Sequence, residues 1–266
     1  MKTPKNISDY TQKTIESWNE AAPIHAAINQ SLYLDVTDKA FNNLNADFNR
    51  LVDEFGVVGK SVVQVCCNNG IDLLSVKNKG AGRCLGIDGS HVFIDQATDL
   101  SAAAGHSDVE FYCSDIYALP EKYQESFDVV IITVGVLNWM PDIFKFMDVC
   151  ASLLVPGGHL LLEEIHPILC MYEEGSPSYI DSSYFHREPF IGTEGLDYFS
   201  HTKYEGKENF WFPHSLTDVF MSAIASHLQL KHFKELPYNI GNFCADLELI
   251  DHNPPLGINV CWQKTG

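Results

Sequence analysis

Val62-Val63-Gln64-Val65-Cys66-Cys67-Asn68-Asn69-Gly70-Ile71-Asp72 decides the fold, together with Gly86-Ile87-Asp88 further along. An apolar run gives way to a tight loop, and a helical pattern follows. A second short apolar run then begins at Cys84 and ends in a carboxylate. That order is the skeleton of a nucleotide-cradling β-loop-α-β unit. The loop approaches the ligand, and the acid holds a ribose diol.

The same rhythm continues outward. Strands are expected at Val62–Cys66, Arg83–Ile87, Val109–Cys113, Phe127–Thr133 and His159–Ile165, with helices between them. Ser90 suits the cap of the second helix, and Pro141 suits the first turn of the fourth. The fourth helix places Ile143, Phe146, Met147, Cys150 and Leu154 on one face and is expected to stop at Pro156-Gly157-Gly158. Strands alternating with helices predict an α/β fold with a doubly wound, mostly parallel sheet and a ligand at the C-terminal strand ends.

Residues 1–50 read as a helical cap, with Phe41, Leu44, Phe48 and Leu51 at helical spacing. Residues 51–165 form the core. Residues 166–213 break the rhythm and are dense in aromatics, including Tyr172, Tyr198, Phe199, Phe210, Trp211 and Phe212. A structureless loop of that length is improbable in a compact domain, so an inserted lid is expected, with Glu205-Gly206-Lys207 as a hairpin turn. Residues 214–266 supply a closing helix opened by Ser215-Leu216-Thr217-Asp218, then strands at Leu228–Phe233 and Leu256–Trp262. The whole of 1–266 is read as one domain.

Composition narrows the partners. The 266 residues carry a formal net charge of −18, which repels polyphosphate and anionic membranes. A small-molecule substrate is expected, with neither nucleic acid nor membrane as partner. No signal-peptide layout or membrane-length apolar run is visible. Of the 8 cysteines, Cys66, Cys67, Cys84, Cys113 and Cys261 fall in apolar runs without Cys-x-x-Cys spacing. Reduced core thiols in a cytoplasmic protein are expected, with no zinc or other metal site. Oligomeric state is not legible.

The ordered features of residues 60–165 resemble the class I S-adenosylmethionine-dependent methyltransferases. Members of that family carry an acid-led, glycine-rich loop, an acid ending strand two, and an acid after strand three. An aromatic-Asp pair then opens strand four, and a Pro-Gly-Gly turn precedes strand five. The corresponding residues are Gln64 through Gly70, Asp88, Asp115 in Cys113-Ser114-Asp115-Ile116, Phe127-Asp128, and Pro156-Gly157-Gly158. The resemblance implies a Rossmann-like, seven-stranded sheet whose last strand inserts antiparallel. Its implied cofactor is S-adenosylmethionine, and its implied activity is in-line methyl transfer to a small-molecule nucleophile. The loop departs from the pattern, since Gln64 stands for an acid and Cys66 and Asn68 stand for glycines. Asn tolerates left-handed backbone and can preserve the turn. A scaffold protein that kept the fold without activity is the alternative reading.

By the same resemblance, Gln64, Cys66, Asn68 and Gly70 border the methionine end of the cofactor, and Asp88 takes the ribose. Gly89 and Ser90 line the adenosine pocket, Asp115 accepts from the adenine amino group, and the Ile116 amide reads the adjacent ring nitrogen. Thr133 and Val134 touch the cofactor through their backbone, and Trp18, with Tyr10 near it, covers it. Asn138, Trp139, Glu163 and His214 are substrate candidates, and His166 is the candidate general base; His201 is a further histidine beside the aromatic segment. A structural reading stands beside each: helix or turn capping for Asp88, Asp115 and Asn138, a hydrogen-bonded structural role for His166, and packing for Trp18, Tyr10 and Trp139.

Overall fold

The computed structural model describes residues 6–197 and 204–266. Tyr198, Phe199 and His201 therefore lie outside the described residues. Strand β1 (Val62–Val65) is buried throughout and apolar except for Gln64, which suits a central position. It pairs in parallel with β2 (Cys84–Asp88) and with β4 (Phe127–Ile132). Outside these, β3 (Glu110–Cys113) joins β2 and β5 (Leu154–Ile165) joins β4, again in parallel. The last strand, β11 (Gly257–Lys264), runs antiparallel between β5 and β10 (Leu228–Leu236). The sheet is thus a Rossmann-like α/β sheet of order β10-β11-β5-β4-β1-β2-β3, with one antiparallel member.

Alternation along β1 explains the two layers that cover the sheet. Val62 meets the helices α3 (Ala46–Phe55), α4 (Ile71–Asn78) and α5 (His91–Ala103) through Phe48, Leu51, Leu73, Leu74 and Leu100. Val63 and Val65 face α6 (Ile143–Leu153) and α7 (Leu216–Ala225) through Phe146, Met147 and Val219. Gln64 therefore points to the α3–α4 side. The caps hold as expected at Ser90, which accepts from the Phe93 N–H, and at Ser215 with Asp218, which form a reciprocal capping box.

Three local expectations are corrected. Helix α6 ends at Leu153, and β5 begins immediately, so Pro156-Gly157-Gly158 lies inside the strand. The register between β4 and β5 shifts there, from Phe127 opposite Leu154 to Val129 opposite His159. Proline lacks the ladder N–H and Gly157 has φ +81°, so the segment is accommodated as a bulge. Pro141 precedes the α6 cap, Asp142, instead of occupying the first turn. Phe41 and Leu44 lie before α3 in irregular chain, although both pack on the same core as Phe48 and Leu51.

The chain before the core forms a long helix, α1 (Ile7–Ile28), and a single turn, α2 (Leu32–Asp35). The segment after β5 holds two short hairpins, β6 (Tyr172–Glu173) with β7 (Tyr179–Ile180), and β8 (Phe190–Gly192) with β9 (Asn209–Trp211). Glu205-Gly206-Lys207 is not the turn of that second hairpin. Tyr204 and Gly206 donate their N–H groups to Glu194 and Thr193, so this stretch extends the pairing. It also meets α1. Ser17 Oγ donates to the Lys207 carbonyl at 2.9 Å, the Lys207 N–H donates to the Glu20 carboxylate, and Lys13 pairs with Glu208. Tyr10 sets its ring edge-on to Phe210 and Phe212, at 4.8 and 5.2 Å. Helix α1 and the return arm of the hairpin form one cover.

At the centre of β2, a Cβ on Gly86 would stand 2.7 Å from the Phe111 ring and 2.8 Å from Cys67 Sγ. Gly86→Ala is expected to destabilise the fold by about 1–3 kcal/mol through overpacking. Urea denaturation checks this as a lower midpoint at unchanged slope.

Candidate functional site

The loop after β1 keeps a glycine-type path with Gly70 as its one glycine. Cys66, Asn68 and Gly70 all take left-handed backbone, with φ of 52°, 51° and 76°. Asn68 is suited to this, and its Oδ1 also accepts from the Asn69 N–H at 2.7 Å. Gly70 has no tolerance for a side chain, because a Cβ would lie 2.8 Å from the Phe111 ring. Helix α4 starts directly after it, so its first N–H groups face the C-terminal ends of the strands.

Asp88, the last residue of β2, holds this loop. One carboxylate oxygen accepts from the Asn68 N–H and the other from the Ser90 N–H, both at 2.8 Å. Burial pushes its carboxyl up to about 6, against those two donors. Gly89 lies under α1, where a Cβ would come 2.6 Å from Ile15, and Ser90 Oγ donates to Asn19 of the same helix. Asp115 caps the turn Ile116–Ala118 through the Tyr117 N–H, not that of Ile116, and accepts from Thr11 Oγ1 of α1. Trp18 of α1 lies edge-on to Trp139 at 5.2 Å. Gly89, Ser90 and Asp115 thus all meet α1, the helix that carries Trp18.

A second polar group lies on the α3–α4 side. Gln64 is 1% exposed, and its Nε2 donates to Thr133 Oγ1 at 2.9 Å. Gln64 Oε1 is buried with no partner. Asp72, in the first turn of α4, accepts from Asn43 Nδ2 at 2.7 Å. Glu163 is buried on β5 and accepts from Asn45 Nδ2 at 2.8 Å. Burial raises both acids, and Asp72 and Glu164 lift Glu163 further, to about 7.

Other expected residues are committed to the scaffold. Glu164 accepts from the N–H groups of Gly135, Val136, Leu137 and Ile165, which fixes the turn after β4 beyond Val134. His166 is corrected as a general base. Its Nδ1 accepts from the Ile168 N–H at 3.0 Å, so the neutral ring carries its proton on Nε2, beside Glu235 at 3.2 Å. No lone pair is left for a substrate proton. Asn138 clamps the lid, with Nδ2 donating to the Phe212 carbonyl and its own carbonyl accepting from the Phe212 N–H. His214 Nε2 donates to the Met140 carbonyl at 2.8 Å, which leaves Nδ1 as an acceptor; His214 borders a cleft with Tyr10, Phe144, Arg187 and Phe212. Asp72, Asn43 and Asn45 had no assigned role in the sequence. Asp72 stood in the deciding stretch, at the helix position whose side chain turns back toward the strand ends. Among the described residues, no group of three or more His, Cys, Asp and Glu is placed to hold a metal ion.

With this geometry in place, comparison with known proteins is informative. Residues 62–158 match the family described as methyltransferase domain. Over 108 residues the chain is 31% identical to the ubiquinone biosynthesis O-methyltransferase of Neisseria meningitidis, covering 41% of this chain and 45% of that protein. Over 107 residues it is 32% identical to the tRNA U34 carboxymethyltransferase of Aliivibrio salmonicida, covering 40% and 32%. The chain thus spans less than half the length of these curated relatives. An S-adenosylmethionine dependent methyltransferase from Mesorhizobium loti shares the fold, with a TM-score of 0.61 at 20% identity, over 82% of this chain and 96% of that one.

The buried acids give the site a pH signature. Glu163 has its folded pKa raised from 4.5 to about 7, so its stabilising, protonated form is complete below pH 4.5 and lost as pH rises through 7. Glu163→Gln mimics that form at every pH. The variant is expected to match the parent near pH 4.5 and to exceed it at pH 8 by at most about 3 kcal/mol. Paired thermal melts at the two pH values test this; an equal difference at both refutes it.

Proposed function

We propose that the protein, whose residues 62–158 are a methyltransferase domain of the class I kind, transfers a methyl group from S-adenosylmethionine to a small acceptor. The observation that carries this reading is the loop: Cys66, Asn68 and Gly70 run left-handed, with Asn68 held by Asp88, and shape a cradle where the cofactor's tail belongs. The orphaned Gln64 Oε1 supports the fit, since it is a buried acceptor lacking a donor at the methionine end. When bound, the cofactor supplies an already activated methyl group on a sulfonium.

The chain's own residues bind, align and exclude water. Asp88 retains acceptor capacity for the ribose hydroxyls beyond its two backbone donors. The first N–H groups of α4 face the methionine carboxylate. Gly89, Ser90, Asp115 and Ile116 border the adenine, with Thr133 and Val134 beside the tail. Cys66 and Asn68 shape the turn, and Trp18 closes over it. The acceptor lies between α1 and the lid, near Trp139, Asn138 and His214. Because His166 is committed to its turn, no protein base is assigned; His214 Nδ1 is the one acceptor available among the proposed substrate residues.

A small acceptor fits better than nucleic acid. The net charge of −18 opposes a polyanion, and the acids Asp72 and Glu163 add to that repulsion at the strand ends. An uncharged or cationic molecule meets no such barrier. We place the reaction in the cytoplasm, a reading supported by eight free cysteines. Residues 1–50 and 166–213 act as its cover within a single 1–266 domain.

Calorimetric titration with S-adenosylmethionine and S-adenosylhomocysteine, with NAD as control, tests the reading. Micromolar binding is expected for both sulfur nucleosides, weakened roughly 30- to 100-fold by Asp88→Asn through loss of charge-assisted hydrogen bonds. Failure of the folded protein to bind either one overturns the proposal.

A further inference from the structure

A cleft of about 430 Å³ opens at the seam between the cover and the core, a size usual for small-molecule sites. Its walls come from the first turns of α1, the start of α6, the end of the lid and the first turn of α7. These walls are anchored. The Phe212 N–H donates to the Asn138 carbonyl at 2.6 Å, and Tyr10 lies edge-on to Phe212. Asp142 caps α6 by accepting from the Lys145 N–H, and its carbonyl accepts from the Tyr117 hydroxyl at 2.9 Å. Three rings, Tyr10, Phe144 and Phe212, border the space, and Phe144 is 47% exposed, so one ring has an open face. The charged groups at the cleft are Asp142, Asp218 and Arg187, and the same three act on His214. All are committed. Arg187 pairs with Asp218 at 2.5 Å, Asp218 also accepts from Ser215, and Asp142 sits on the positive end of α6. An anionic ligand would meet two carboxylates, and a cationic one would compete with Arg187. A neutral ligand meets neither obstacle. His214 adds an acceptor: Nε2 donates to the Met140 carbonyl at 2.8 Å, and the Nδ1 lone pair has no partner among the described residues. Burial lowers the His214 pKa, so near neutral pH the ring is uncharged and the lone pair is present.

We infer that this cleft binds a neutral, planar hydroxyaromatic molecule, its ring held among Tyr10, Phe144 and Phe212 and its hydroxyl donating to His214 Nδ1. The inference rests on the proposed methyl transfer in one respect: the molecule bound there is read as the acceptor. A flat ring is selected because aromatic walls pack best against another aromatic face or edge. A hydroxyl is selected because Nδ1 can only accept, and a phenolic group brings a proton to it without bringing charge. The position agrees with that role. Asn138 and Met140, whose carbonyls anchor Phe212 and His214, flank Trp139, and the Trp139 ring meets Trp18 at 5.2 Å. The cleft is thus built on the turn that follows β4, where the strand ends open. His214 is here a binding residue that orients the hydroxyl.

Calorimetry at pH 7 with 2-naphthol, 2-methoxynaphthalene and 2-naphthoate tests this on the full chain. 2-Naphthol is expected to bind with Kd below about 1 mM, and the other two about tenfold more weakly. The ether has no proton to give, and the carboxylate meets Asp142 and Asp218. His214→Gln keeps an amide N–H for the Met140 carbonyl but has no counterpart of Nδ1. It is expected to erase the preference for 2-naphthol over its methyl ether, whereas a purely structural role for His214 would weaken both alike. Phe144→Ala, at an exposed position, is expected to weaken both by about threefold to tenfold and serves as the test if His214→Gln does not fold. Equal binding of naphthol and ether by the parent, a preference that survives His214→Gln, unchanged binding in Phe144→Ala, or tightest binding by naphthoate overturns the assignment. 2-Naphthol is also expected to bind undiminished at saturating S-adenosylhomocysteine, and mutual exclusion overturns its reading as the acceptor. A parent protein that binds 2-naphthol but not S-adenosylhomocysteine removes the methyl-transfer reading and leaves the cleft's ligand class standing.

Discussion

The hydrogen bonds between Asp88 and the N–H groups of Asn68 and Ser90 are the constraint on which the site depends. Through them a single carboxylate ties the loop after β1 to the start of α5. The loop then runs left-handed through Cys66, Asn68 and Gly70, and α4 begins where that path ends. Loss of the tie would free the loop and the first turn of α4 together. Burial raises the Asp88 carboxyl to about 6, so near neutral pH the bonds are still made to a carboxylate.

The same strand ends collect an unusual number of acids. Asp88, Asp72, Glu163 and Glu164 all carry raised carboxyls, and burial leads the causes in each case. Their compensation differs. Glu164 receives four backbone donors and serves as the keystone of the turn after β4. Asp88 receives two and retains capacity. Asp72 and Glu163 each receive one neutral side-chain amide, Asn43 and Asn45, which is little for carboxylates raised by burial.

Periodicity in the sequence is sufficient for the alternation of strands and helices and for the two covering layers, because each strand's apolar faces must be covered on both sides, whereas the antiparallel last strand was legible only through the resemblance. Asp88 was legible for a related reason: a carboxylate ending a buried strand needs a purpose. His166 was misread because its role depends on a neighbouring N–H, Ile168, that forms a turn only once Pro167 has set it. Pro156-Gly157-Gly158 was misplaced because proline and glycines end helices and bulge strands with equal ease. Asp72 escaped notice for a different reason. Its partner Asn43 comes from a distant part of the chain, and no local pattern announces a long-range hydrogen bond.

The loop also carries a cost that packing alone does not require. A non-glycine residue held left-handed loses roughly 1–2 kcal/mol, somewhat less for asparagine. Cys66 and Asn68 both bear it. The Asn68 Oδ1 bond to the Asn69 N–H and the Asp88 tie offset part of this, yet a right-handed connection from β1 to α4 would avoid the cost altogether. Strain that persists against a cheaper alternative points from geometry toward use. Here it carries the chain from β1 into α4, whose first N–H groups face the C-terminal ends of the strands.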